Sequence, residues 1–156
     1  MDREYKIVVV GNGGCGKTSF VKRLVTGDFT TRYVPTLGVE VYGLENEDEK
    51  LKFSIWDCAG VPELCGLKDA YYIQADGAMI LYDDNTSKDD IRQNTIDIIR
   101  VCGKEIPIVY CRTKSDLPST KKLTHGHISI SSKSCDNLSK PLHELVKLIK
   151  KRQLTV

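Results

Sequence analysis

The stretch Gly11-Asn12-Gly13-Gly14-Cys15-Gly16-Lys17-Thr18 limits what this chain can become more than any other, because it fits G-x-x-x-x-G-K-[ST] and directly follows the apolar run Ile7-Val8-Val9-Val10. A buried strand that ends in such a loop, with a helix behind it, can curl its backbone around an anion. The glycines permit angles and close approaches that a Cβ would block. The amides of Gly13, Gly14, Cys15 and Gly16, together with the first helical turn through Ser19, then offer a concave donor surface at a positive dipole end. Lys17 adds a full charge for the β- and γ-phosphates, and the Thr18 hydroxyl is placed to ligate Mg2+.

Length and charge narrow the class further. At 156 residues the chain is expected to form one domain spanning 1–156, large enough to bury about 68–70% of its unfolded surface without disulfides or a structural metal. Lys and Arg number 23 against 21 Asp and Glu, a balance without the basic face of a nucleic-acid binder. The six cysteines form no C-x-x-C pair, so no zinc site or redox dithiol is indicated, and reduced thiols fit the cytosol or nucleus. There is no apolar signal core at the N-terminus and no C-terminal Cys for prenylation, so no membrane anchor is expected. His125, His127 and His143 have no acids or cysteines at ligand spacing and are expected on the surface.

Along the chain, Phe20, Val21, Leu24 and Val25 recur at helical spacing. Residues 29–38, with Pro35 and Thr36, read as irregular loop, followed by a strand from Val39 to Tyr42. Leu51, Phe53 and Ile55 alternate with Lys52 and Ser54 in a half-buried strand that pairs back on it as an antiparallel hairpin. Residues 58–76 read as loop and broken helix. Gly77 to Tyr82 and Ile106 to Cys111 are buried strands, Ile128 to Ile130 a short one. Thr86 or Ser87 caps a helix with Ile91, Thr95, Ile98 and Cys102 inward and Gly103 at its end. Pro141 opens a last helix burying Leu142, Leu145, Val146 and Ile149. This alternation predicts an α/β fold: a mostly parallel six-stranded sheet with one antiparallel hairpin strand and helices on both faces. Ligands of such sheets bind beyond the carboxyl ends of the strands.

Three further sites at those ends select the nucleotide. Asp57, in Asp57-Cys58-Ala59-Gly60, ends a strand where a carboxylate holds Mg2+ through water, and Gly60 can offer its N–H to the γ-phosphate; a plain strand-end cap is the other reading of Asp57. Thr113-Lys114-Ser115-Asp116 and Ser131-Ser132-Lys133 each follow a late strand. A carboxylate there accepts the N1 and N2 hydrogens of guanine, and a backbone N–H donates to O6. Adenine has neither matching edge.

On these residues the chain resembles the small GTPases of the Ras superfamily, which share the P-loop NTPase G-domain fold, and within them the Ran family. The similarity also runs through Phe20-Val21-Lys22-Arg23, Tyr33-Val34-Pro35-Thr36-Leu37-Gly38-Val39-Glu40-Val41, Gly66-Leu67-Lys68-Asp69-Ala70-Tyr71-Tyr72-Ile73-Gln74-Ala75 and Ile106-Pro107-Ile108-Val109. The resemblance implies GTP/GDP and Mg2+ as cofactors and a monomeric switch. It implies that Thr36 closes on Mg2+ and γ-phosphate, that Phe29 packs edge-on against guanine, that Tyr33 stands where the family has a catalytic tyrosine near the water-orienting Gln, a role that the loss of that Gln here puts in doubt, and that residues 58–75 form the second switch. From the residues alone, Thr36 is equally a loop hydroxyl and Phe29 a core anchor. By the same resemblance the partners are an exchange factor, an activating protein and transport receptors of the importin and exportin type, and the place of action is cytoplasm and nucleus.

Departures from the family pattern sharpen the expectation. Where the family has Asp-Thr-Ala-Gly-Gln, Val61 stands in place of the water-orienting Gln, so slow hydrolysis is expected. Family Asn-Lys-x-Asp reads Thr113-Lys114-Ser115-Asp116, which implies loss of the amide that bonds N7 and braces the phosphate loop, hence weaker nucleotide affinity. Cys15 fills a threonine's space. The family's acidic tail is absent from this sequence, so a partner that reads it is expected to bind less well. Two functions remain: a slow GTP-hydrolysing switch, or a GTP-dependent docking module without turnover. A nucleoside kinase would need a lid and acceptor site.

Overall fold

The computed structural model describes residues 3–25, 30–36, 39–46, 49–58 and 65–154. Its elements run β1 (Glu4–Val10), α1 (Lys17–Val25), β2 (Thr30–Thr36), β3 (Val39–Asn46), β4 (Leu51–Cys58), α2 (Cys65–Tyr72), β5 (Gly77–Tyr82), α3 (Lys88–Cys102), β6 (Ile108–Arg112), β7 (Ile128–Ser129) and α4 (Lys140–Leu154). The expected six strands lie in the order β3-β4-β1-β5-β6-β7, with β3 antiparallel to β4 and the other pairs parallel.

One segment departs from expectation. Residues 30–36, read as loop, form a seventh strand pairing antiparallel with β3 from Thr30 opposite Glu45 to Thr36 opposite Val39. Polar residues and Pro35 argue against a central strand. They are compatible with the sheet's outermost position, where a proline's missing N–H and a polar composition are tolerated. The second strand of the hairpin also continues past Tyr42 to Asn46.

Strand alternation sorts the core into two layers. Ile7, Val9, Met79 and Leu81 face a cluster with Phe20, Val21 and Leu24 of α1 and Leu142, Leu145 and Ile149 of α4. Val8, Val10, Ala78 and Ile80 face the opposite cluster, with Tyr72 of α2 and Ile98 of α3. Helices therefore cover both sides, and β5, buried along its whole length, is the shared wall. Ser87 caps α3 by accepting from Asp90 N, and Gly103 ends it in the left-handed conformation at φ 67°. The buried stripe of α3 includes Asn94, which hydrophobic periodicity does not mark, while Ile91, Thr95 and Cys102 are only partly covered.

Among the described residues Tyr72 is the largest fully buried side chain, and its hydroxyl has no hydrogen-bond partner there. Burial pushes its pKa up, and the nearby Cys58 adds to the shift. An orphaned buried hydroxyl costs about 1–3 kcal/mol. Tyr72→Phe is therefore expected to stabilise the fold by about 1 kcal/mol, seen as a rise of roughly 2–4 °C in the thermal midpoint.

Candidate nucleotide site

The chain leaves β1, visits β2, β3 and β4 on one side, and returns to β5 on the other. The carboxyl end of β1 is thus the point where strand order reverses, the crevice in which such sheets bind ligands. The loop of residues 11–18 starts there. A Cβ on Gly11 would lie 2.6 Å from Leu81 O and 2.9 Å from Cys15 Sγ, so only glycine lets the loop leave the sheet this close to β5. Gly16, at φ +89°, turns the chain into α1, and Cys15 N closes a turn on Asn12 O at 3.3 Å. Cys15 is buried beneath the loop, and burial raises its thiol pKa, so it packs rather than reacts.

Lys17 Nζ donates to Asp57 Oδ1 at 2.8 Å across the β1–β4 boundary, both side chains almost wholly enclosed. The ammonium of the phosphate loop and the carboxylate ending β4 thus share one spot. With the Thr18 hydroxyl close by in sequence, the group supplies one carboxylate and one hydroxyl, hard oxygen donors of the kind Mg2+ takes alongside phosphate and water. The donor set fits that ion. Among the described residues no cluster of three or more His, Cys, Asp or Glu forms a metal cage.

On the far side of the loop a cleft of about 560 Å³ is lined by Gly16, Ser19, Thr113, Lys114, Asp116, Ser132 and Lys133, with Lys22 and Arg23 of α1. Segments about a hundred residues apart in sequence are brought together by the turns after β6 and β7. Ser115 N donates to Ile130 O and Ile130 N to Arg112 O, both at 2.9 Å, which locks the two turns side by side. Ser131, fully buried, donates through Oγ to Asp116 Oδ1 at 2.8 Å and accepts from Ser134 N at 3.1 Å. The carboxylate is held at one oxygen and exposed to the cleft. No motif marks Lys22 and Arg23 as site residues. They lie one turn beyond Ser19 on the same face of α1, which helical spacing alone reveals.

Lys114 ties the base-side turn to the phosphate loop. Its Nζ donates to Gly14 O at 2.9 Å and to Asp83 Oδ2 at 3.0 Å, and its backbone adopts φ +62°, a conformation held by these contacts. Burial opposes ionisation of Asp83, but hydrogen bonds from Lys114, Asn85 N and Thr86 outweigh it and hold the carboxyl below its ordinary pKa.

Thr113 corrects one expectation. The residue was expected to forfeit the brace on the phosphate loop, yet its buried hydroxyl donates to Cys15 O. Oγ1 also lies 3.2 Å from Tyr82 O, but the hydroxyl has a single proton and its contact with Cys15 O is much the shorter, so the proton serves Cys15. A side chain shorter than asparagine thus keeps the brace. Thr113→Val removes the proton at nearly constant shape. It is expected to speed release of a fluorescent guanine nucleotide about tenfold, the effect of one lost buried hydrogen bond of ~1–1.5 kcal/mol.

Phe29 and Gly60 lie outside the described residues, as does Val61. Tyr33 and Thr36 are placed only as backbone positions of β2, opposite Tyr42 and Val39. The remaining candidates, Gly13 through Ser19, Asp57, Thr113, Lys114, Asp116 and Ser131 through Lys133, all lie at the carboxyl edge of the sheet.

The sequence model of the Ras family matches residues 6–151, from within β1 to within α4. That span takes in the phosphate loop, the Lys17–Asp57 pair and the cleft lined by Asp116. This chain belongs to the Ras family, small GTPases that bind GTP and GDP with Mg2+.

Proposed function

We propose that the protein is a Ran-like member of this family that hydrolyses GTP slowly and acts in nucleocytoplasmic transport, in the cytoplasm and nucleus. The observation that carries the nucleotide-site assignment is Lys114 joined at once to Gly14 O and Asp83, which welds the base-reading turn to the phosphate loop. In this reading Asp116 accepts the N1 and N2 hydrogens of guanine while Ser131 orients it. Ser132 and Lys133 border the base. Amides of residues 13–16, with Ser19, surround the phosphates, and by the family resemblance Phe29 packs edge-on against the base.

Thr18, Asp57 and Thr36 hold Mg2+, which when bound neutralises charge on the phosphate oxygens. Lys17 leaves Asp57 for the phosphates when nucleotide enters, exchanging one anionic partner for another. Gly60 donates its N–H to the terminal phosphate. Tyr33 stands where the family pairs a catalytic tyrosine with the water-orienting Gln, but at position 61 an isopropyl group replaces the amide that would orient the attacking water, so Tyr33 has lost that partner.

Support for the Ran-like part is the wording of residues 33–41 and 66–75. By the same resemblance the partners are importin- and exportin-type receptors, an exchange factor and an activating protein. The valine also favours a second reading, a docking module that binds GTP without turnover. Single-turnover phosphate release decides between them. Slow but measurable release, raised at least tenfold by Val61→Gln, supports the switch. No release from either protein supports the docking module, and fast release from the unmodified protein overturns the proposed role of Val61. Capture of a transport receptor by the GTP-loaded form and not the GDP-loaded form tests the transport role.

A further inference from the structure

A second cavity, of about 670 Å³, opens on the other side of the Asp83–Lys114 pair, between the start of α3 and residues 121–127. It shares no lining residue with the nucleotide cleft. Its volume lies in the range of about 300–1,000 Å³ typical of ligand pockets.

The floor is aromatic and built. Tyr82 OH and His127 Nδ1 are 2.6 Å apart, the Tyr110 ring stacks on His127 at 4.9 Å and 13°, and Tyr110 OH is bonded to Thr95 Oγ1 at 2.8 Å. Of the three histidines expected on the surface, His127 is the exception, half-buried in this stack. Burial lowers its pKa, so at neutral pH the ring is uncharged. Ile91 adds an aliphatic patch to the same floor.

The rim is cationic. Four cations line the cavity against two carboxylates, Asp83 and Asp84. Asp83 is already engaged by Lys114. Arg112 uses Nη1 on Lys121 O at 2.9 Å, and Lys121 Nζ donates to Asp84 O. Among the described residues Lys88, Arg112 and Lys122 have no carboxylate partner.

We propose that this cavity is a docking site for an acidic peptide segment of a partner protein, one that inserts an aromatic or large aliphatic side chain between Ile91 and the His127 stack and sets flanking carboxylates against Lys88, Arg112 and Lys122. Charge complementarity selects an anionic partner, and the apolar floor selects a peptide over a bare phosphate, which would leave that floor uncovered. A guanidinium with nitrogen donors to spare suits a carboxylate fork. The site lies outside residues 29–42 and 58–75, so it is independent of the switch reading proposed above.

The test is fluorescence anisotropy with a labelled peptide carrying a central tryptophan between acidic residues, added to the full chain with and without GDP. Saturable binding is expected, at least tenfold weaker for Lys88→Glu/Lys122→Glu and for a peptide with serine in place of tryptophan. Lys147→Glu/Lys151→Glu on α4 makes the same charge change elsewhere and is expected to bind like the unmodified protein. All four lysines are exposed, so none of these variants disturbs the core. The proposal is overturned by absence of saturable binding, by binding that survives the Lys88/Lys122 reversal or the serine peptide, by equal loss in the α4 variant, or by equally tight displacement with inorganic triphosphate.

Discussion

Lys17→Met is expected to lower the thermal midpoint by roughly 6–20 °C and to weaken binding of GTP with Mg2+ by about 10²-fold or more. The first effect follows from Asp57, which is buried at the end of β4 and whose 2.8 Å contact with Lys17 balances its charge. Removing one partner of such a pair costs about 3–5 kcal/mol, because the other is left in a low-dielectric site without compensation. For a domain of this size each kcal/mol moves the midpoint by about 2–4 °C. The second effect follows from the loss of an ammonium that, in the proposed site, bridges two phosphates through charge-assisted bonds of ~1.5–3 kcal/mol each.

A double variant separates the two. Lys17→Met/Asp57→Asn has no uncompensated charge, so most of the lost stability returns, while nucleotide binding stays impaired. Calorimetric titration and thermal unfolding of both proteins check this. If the double variant bound GTP as tightly as the unmodified protein, Lys17 would be a structural cation only.

Asp116→Asn is expected to reverse base preference, weakening GTP by about 10²-fold and admitting xanthosine triphosphate in its place. Guanine offers donors at both N1 and N2, and an ionised carboxylate accepts both, each bond being worth ~1.5–3 kcal/mol. An amide accepts only one and aims its NH2 at the other, which suits a base carrying an oxygen at that position. Ser131 Oγ, now 2.8 Å from Asp116 Oδ1, can donate equally to the amide oxygen, so the side chain keeps its orientation. Competition between the two nucleotides for a fluorescent analogue measures the change. Unaltered preference would remove Asp116 from the base site.

Residues whose chemistry is local are readable in the sequence itself. The strand before the loop and the helix after it follow from apolar spacing, and Ser87 and Gly103 mark the ends of α3 by their own capping chemistry. Asp57 and Asp116 are legible as strand-end carboxylates. By contrast β2 was invisible, because Thr30-Thr31-Arg32-Tyr33 carries no alternation of apolar and polar residues, and its place at the sheet edge is fixed by backbone pairing with β3, which no spacing within the segment announces. His127 escaped for a related reason. Its partners Tyr82 and Tyr110 come from β5 and β6, and no spacing within the chain foretells the stack.

Thr113 draws the line most clearly. That a hydroxyl replaces the family's amide is visible in the chain, and so is the donor it loses toward the base. That the same hydroxyl reaches Cys15 O, 98 residues away, depends on β1 and β6 flanking β5 at a fixed distance. The kinds of group present, and the ends of strands at which they emerge, were set by the order of amino acids, because motif spacing and side-chain period are properties of neighbouring residues. Which groups meet, Lys17 with Asp57, Lys114 with Gly14 and Asp83, Ser131 with Asp116, was decided by the sheet, because contacts across tens of residues exist only once parallel strands have been laid side by side.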